Sequence, residues 1–207
     1  MDLGWITLAQ FLNECPNLIN LALWSHHPTK QLLNSIEKMS LQRLSTNLSS
    51  LDEQDFKGPA FSCITHLDIT GLKGDWARYK VLTHVPQLTH IAINEVVDMQ
   101  AIHHLLQYCP KLQILLVVTY DIPSWNLDLE DIHLYDPRLV LMEVQRFTLA
   151  EWTNGTNGKE DLWEGPEVIS ASKTYGRIKK EQFCTWFSGY TWRRKLDDLE
   201  VGGRGVI

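Results

Sequence analysis

Six stretches of this 207-residue chain repeat one apolar pattern, and that repetition constrains the fold more than any other feature. They read Leu18-x-x-Leu21-x-Leu23, Leu41-x-x-Leu44-x-Thr46, Ile64-x-x-Leu67-x-Ile69, Leu88-x-x-Ile91-x-Ile93, Leu112-x-x-Leu115-x-Val117 and Leu139-x-x-Met142-x-Val144. Their first positions step by 23, 23, 24, 24 and 27. Four of them place a proline two residues ahead, at Pro16, Pro86, Pro110 and Pro137. Proline has no N–H and fixes φ, so it suits the turn that feeds a strand and not the strand itself. Side chains alternate faces along a strand, so Leu67 and Ile69 share one face while His66, Asp68 and Thr70 share the other. One such strand cannot bury its apolar face alone; stacked copies can, each buried Leu or Ile contributing roughly 1.5–3 kcal/mol.

Between these stretches the sequence reads helical. Lys30–Met39 sets Leu32, Leu33, Ile36 and Met39 on one face with Thr29 as N-cap. Asp75 caps Trp76–His84, Asp98 caps the segment from Met99, and Ile6–Asn13 forms an opening helix. Asp52–Phe56 allows about one turn. Strand, return helix and strand at this period predict an α/β fold, a short leucine-rich-repeat solenoid of the ribonuclease-inhibitor type. Its parallel sheet is expected on the concave side and its helices on the convex side. About six units fill residues 1–152, and residues 153–207 form a linker and a C-terminal capping or tail segment.

Residues 119–136 carry an insertion in which Trp125, Leu127 and Leu129 alternate with polar residues, either a binding loop or a lid over the C-terminal end. The turn-rich Thr153–Lys159 leads to a short helix over Glu160–Glu164 that Gly165-Pro166 should end. Beyond it Phe183, Trp186, Phe187 and Tyr190 fall at helical spacing beside a basic Arg193-Arg194-Lys195. Such a stripe suits a membrane surface or nucleic acid, but more simply an aromatic helix packed on the end of the repeats.

Charge narrows the partners. Residues 1–172 carry 11 Lys+Arg against 21 Asp+Glu, and residues 173–207 carry 8 against 4. An acidic body argues against nucleic acid as a partner. No apolar run approaches the roughly 18 residues that cross a bilayer, so no membrane is expected. The N-terminal MDLGWITLAQFLNECP lacks a basic lead segment, which reads as an intracellular chain, cytoplasmic or nuclear. Cys15, Cys63, Cys109 and Cys184 show neither metal spacing nor a CxxC, and are expected reduced.

The sheet face opposite the apolar one supplies the candidate site. Its first column runs Asn20, Arg43, His66, His90, Ile114, Leu141, and its second Ala22, Ser45, Asp68, Ala92, Leu116, Glu143. The third runs Trp24, Asn47, Thr70, Asn94, Val118, Gln145. The protein-binding candidates are Trp24, Arg43, His66, Asp68, His90, Asn94, Ile114, Leu116 and Val118. Trp24 is an aromatic anchor of the kind enriched at interface hot spots. Ile114, Leu116 and Val118 make an apolar strip, either an interaction patch or a surface buried under the insertion or the tail. His66 and His90 would lie about 4.8 Å apart on adjacent strands. With Asp68 they suggest a metal or a pH response, but side chains on a flat sheet do not converge as ligands do, so a solvated polar face is the simpler reading. No nucleophile elbow, phosphate-cradling glycine loop, HExxH or zinc-finger spacing is present, so no catalytic residue, metal or cofactor is assigned.

The strings CPNLINLALW, FSCITHLDITGL, VPQLTHIAIN, CPKLQILLVV and DPRLVLMEV resemble the repeats of F-box/leucine-rich-repeat-type proteins expanded in mushroom-forming fungi. The Glu151-Trp152 and Glu160–Trp163 pieces are similar to the closing segment of that group. The resemblance covers roughly residues 10–165 and implies a protein-binding scaffold, not an enzyme. Members often carry an N-terminal F-box that docks a cullin-ligase adaptor, a segment this sequence does not contain. The expectation is therefore a monomeric, non-catalytic scaffold with a protein partner. The alternative is the substrate-recognition subunit of a cullin-type ubiquitin ligase, with its F-box outside this chain.

Overall fold

A computed structural model describes residues 3–23, 30–70, 72, 75–94, 97–119, 135–143, 161–188 and 191–201. The chain is α/β and divides into two compact units, Met1–Leu112 and Gln113–Ile207.

In the first unit, strands β1 (Asn20–Leu23), β2 (Arg43–Asn47), β3 (His66–Thr70) and β4 (His90–Ile93) lie parallel in chain order. Asn20, Arg43, His66 and His90 align across the sheet, as do Leu21, Leu44, Leu67 and Ile91. The spacing read from the sequence is therefore the pairing register. A seam at the strand entrances enforces it. The N–H groups of Gln42 and Arg43 both donate to the carbonyl of Ile19, at 2.9 and 3.1 Å. Thr65 and His66 do the same to Gln42 O, and Thr89 and His90 to Thr65 O.

Each proline opens a β-turn closed by the leucine that follows. Leu18 N donates to Cys15 O, Leu88 N to Val85 O and Leu112 N to Cys109 O. Proline at the second turn position needs no N–H, and its fixed φ matches the turn.

The return segments are helical where the sequence places helices. Helix α1 spans Leu3–Asn13, α2 Lys30–Ile36, α3 Glu53–Phe56, α4 Trp76–Tyr79 and α5 Met99–Tyr108. The expected helix over Trp76–His84 tightens into a 3-10 turn from Lys80 onward. Asp52, Asp75 and Asp98 accept hydrogen bonds from the backbone of the first turn of α3, α4 and α5, satisfying donors that no helical carbonyl reaches. Helices this short are marginal in isolation and hold through their buried face. Leu32, Leu33, Ile36 and Met39 are all buried, as are Ile102, Leu105 and Leu106 of α5. Phe56 and Phe61 stack at 4.8 Å, and the buried Tyr79 hydroxyl donates to Leu72 O at 2.5 Å.

In the second unit, β5 (Ile114–Thr119), β6 (Leu139–Glu143) and β7 (Trp186–Ser188) are parallel in that order. Helix α6 (Glu164–Thr174) packs on β5 and β6, and α7 (Trp192–Val201) on α6 and β7. Three expectations are corrected here. Leu139 pairs with Leu115, a step of 24, so the strand follows its turn at once and the expected step of 27 is lost. Leu141 consequently aligns with Val117, not Ile114, and Glu143 with Thr119, not Leu116. Second, Gly165-Pro166 starts a helix instead of ending one, since proline in a first turn forfeits only an N–H that had no helical partner. Gly165 also lets α7 approach; a Cβ there would stand 3.1 Å from the Trp192 ring. Third, the aromatic stripe is not a helix. Phe183 follows a 3-10 turn, Lys180–Gln182, and Trp186 and Phe187 belong to β7, paired with Leu141 and Met142.

Trp24, Thr29, Trp125, Leu127, Leu129, Gln145, Glu151-Trp152, Thr153–Lys159 and Tyr190 lie outside the described residues. Among the described residues no helix is long and apolar enough to cross a membrane.

Candidate functional site: the polar sheet face and its entry rim

Parallel sheets usually have both faces covered, and β3 and β4 follow that rule. Leu67 and Ile69 on one face and Asp68 on the other are all within 1% of full burial. The polar columns are thus brought together in the predicted register, but they do not form an open surface. Asp68 and His90 are buried; Arg43, His66 and Asn94 are half-buried. In the second unit Ile114, Leu116 and Val118 share a strand and are all buried.

Asp68 is the centre of a hydrogen-bonded row that runs from Ser45 on β2 through β3 to Asn94, the residue after β4. Ser45 Oγ donates to its Oδ2 at 2.5 Å, and Asn94 Nδ2 donates to its Oδ1. Burial raises the Asp68 carboxyl to about 6, and the two hydrogen bonds offset only part of that. Both donors are neutral, so a buried carboxylate here is held by dipoles alone. Asn94 Oδ1 and Thr46 Oγ1 are buried with no hydrogen-bond partner among the described residues.

His66 and His90 stack face to face, ring centroids 4.1 Å apart and planes within 7°. A threonine precedes each: Thr65 Oγ1 lies 2.8 Å from His66 Nδ1, and Thr89 Oγ1 lies 2.8 Å from His90 Nδ1. Those hydroxyls also reach Gln42 O and Thr65 O. A hydroxyl has one hydrogen, so each threonine donates either to the carbonyl or to Nδ1, which links the imidazole's tautomer to the strand contact. The threonines therefore orient the imidazoles as well as joining the strands.

An exposed, mostly polar surface of this unit lies one step earlier, at the strand entrances. Asn17, Ser40, Cys63, Gln87 and Lys111 form one exposed row. Ile19, Gln42, Thr65 and Thr89 form a second, exposed to half-exposed. Lys111 Nζ donates to Gln87 Oε1 at 2.9 Å along the first row. In the sequence the near-constant spacing marks these entrances as clearly as it marks the strand faces.

The second unit contains a buried cation that the sequence did not signal. Lys173, on α6, is 3% exposed and donates to Leu139 O at 2.5 Å and Phe183 O at 2.7 Å. Burial lowers its ammonium to about 8, against the opposing influence of Cys184 and Asp136. Burial likewise raises the half-buried Cys184 thiol, with Lys173 acting in the opposite direction. Two carbonyl acceptors make Lys173 a tie between the start of β6 and the segment entering β7. A lone lysine in a mixed helix carries no sequence mark of that role.

Comparison with protein-family models, with curated proteins and with solved structures returns no match.

Proposed function

We propose that this chain is a non-catalytic, protein-binding scaffold of the leucine-rich-repeat type, and that the strand-entry rim of the first unit meets the partner. The observation that carries the reading is the contrast between a buried sheet and its exposed entrance rows. The seam of Ile19, Gln42 and Thr65 carbonyls fixes successive entrances at the strand spacing, about 4.8 Å. Side chains on such a seam form a preorganised surface, which lowers the ordering cost of association. The rows are largely neutral and polar, with Ile19 at one end and Lys111 at the other. The resemblance to mushroom-type F-box/leucine-rich-repeat proteins points the same way.

A photo-crosslinking residue at Gln42 tests the reading against one at Gln100, an exposed position on α5. In a native extract the Gln42 variant is expected to trap a discrete protein partner and the Gln100 variant none. Equal trapping at both positions, or none at either, rejects the rim.

A further inference from the structure

The first unit has an apolar cleft of about 130 Å³ beside this rim, between the Val85-Pro86 and Cys109-Pro110 turns. Leu82, Val85, Leu88 and Cys109, all buried, form its floor. Pro86, Pro110 and Lys111, all exposed, surround its mouth. The two prolines open equivalent turns 24 residues apart and carry no N–H, so the walls offer carbon instead of donors. An apolar void of roughly 150 Å³ holds a benzene ring. The cleft is therefore the size of one leucine, isoleucine or valine side chain, and too small for an indole.

The mouth adds a charge. Lys111 is exposed, and its hydrogen bond to Gln87 Oε1 uses one of the three hydrogens of its ammonium on a neutral amide. No acidic side chain lines the cleft. An anionic acceptor beside an aliphatic group complements it. Because Lys111 itself lines the cleft, the anion must lie within a residue's reach of the aliphatic side chain. A chain terminus carries both groups on one Cα.

We propose that the cleft receives the C-terminal residue of a partner protein, its aliphatic side chain between the two proline turns and its α-carboxylate on Lys111. This rests on the scaffold reading and specifies the partner's chemistry.

The test is methyl NMR of the full chain titrated with acetyl-Gly-Gly-Leu as the free acid, as its C-terminal amide, and with acetyl-Gly-Gly-Gly. The free acid is expected to shift the Leu82, Val85 and Leu88 methyls saturably. The amide should bind about 3-fold more weakly, the range of an exposed ion pair, and the triglycine should leave the methyls unmoved. Lys111→Gln, at an exposed position, should erase the preference for acid over amide. Thr83→Phe, which fills the cleft from its half-exposed edge, should abolish the shifts.

No saturable shift with the free acid, or equal binding of acid and amide, overturns the proposal. So does an internal Leu-Asp peptide amide that binds as tightly as the free acid, since the anion would then come from a side chain. A null titration with the Gln42 crosslink intact removes the cleft and leaves the scaffold; the reverse pair of results removes the rim and keeps the cleft.

Discussion

Ser45 Oγ donates to Asp68 Oδ2 across adjacent strands at 2.5 Å, inside a sheet face that excludes water from both side chains. The folded chain holds the Asp68 proton up to about pH 6, against an ordinary 3.8. Proton binding therefore favours the fold fully below about pH 3.8, and that contribution is gone once the pH passes about 6. Integrated over the shift, it is on the order of 3 kcal/mol. Asp68→Asn keeps the shape and removes the titration. Relative to the parent, the variant should gain stability by about that amount as pH rises from about 4 to 7, read from urea midpoints. Parallel pH profiles for the two chains would show that the carboxyl is not desolvated.

Leu67 is fully buried and its neighbour His66 is only half so. Leu67→Asp places a carboxylate in the apolar core and should cost more than about 4 kcal/mol, enough to prevent folding. His66→Ala loses a ring stack and should cost about 1 kcal/mol or less. Thermal melts separate them, and similar midpoints would contradict the assignment of the two faces.

Tyr79 ties α4 to Leu72 by donating its hydroxyl hydrogen to Leu72 O. Tyr79→Phe leaves that carbonyl without the hydroxyl while keeping the ring in the core. A loss of about 1–2 kcal/mol is expected, seen as a lower denaturant midpoint at constant slope. No change in the midpoint would mean the bond adds nothing.

Lys173→Met retains most of the buried length but withdraws the donor from Leu139 O and Phe183 O. About 2–4 kcal/mol should be lost, two buried acceptors being left behind. Hydrogen exchange should accelerate in β6 and β7. Unchanged protection there would mean that Lys173 is a tolerated burial and not a tie.

The parallel register of β1–β4 was legible because apolar and polar residues alternate there: Leu67, Asp68 and Ile69 can occupy only one phase. Leu139–Met142 is apolar at every position, so it carries no period of two, and the pattern fitted a register three residues away from the observed pairing. Phe183, Trp186 and Phe187 mimic a helical stripe, but Trp186 and Phe187 gain their partners from β6, a contact that local spacing does not encode. Polar columns such as Ser45 and Asp68 read as solvated for a similar reason. A sequence shows which residues share a sheet face and not whether that face is covered.

Each strand entrance in the first unit clasps its predecessor through one doubly used carbonyl: Ile19, then Gln42, then Thr65. Main-chain N–H groups make every clasp, and the Thr65 and Thr89 hydroxyls reinforce the two at Gln42 O and Thr65 O. The steps of 23, 23 and 24 between Leu21, Leu44, Leu67 and Ile91 show that a one-residue difference is absorbed in the return segment and leaves the strand faces unchanged.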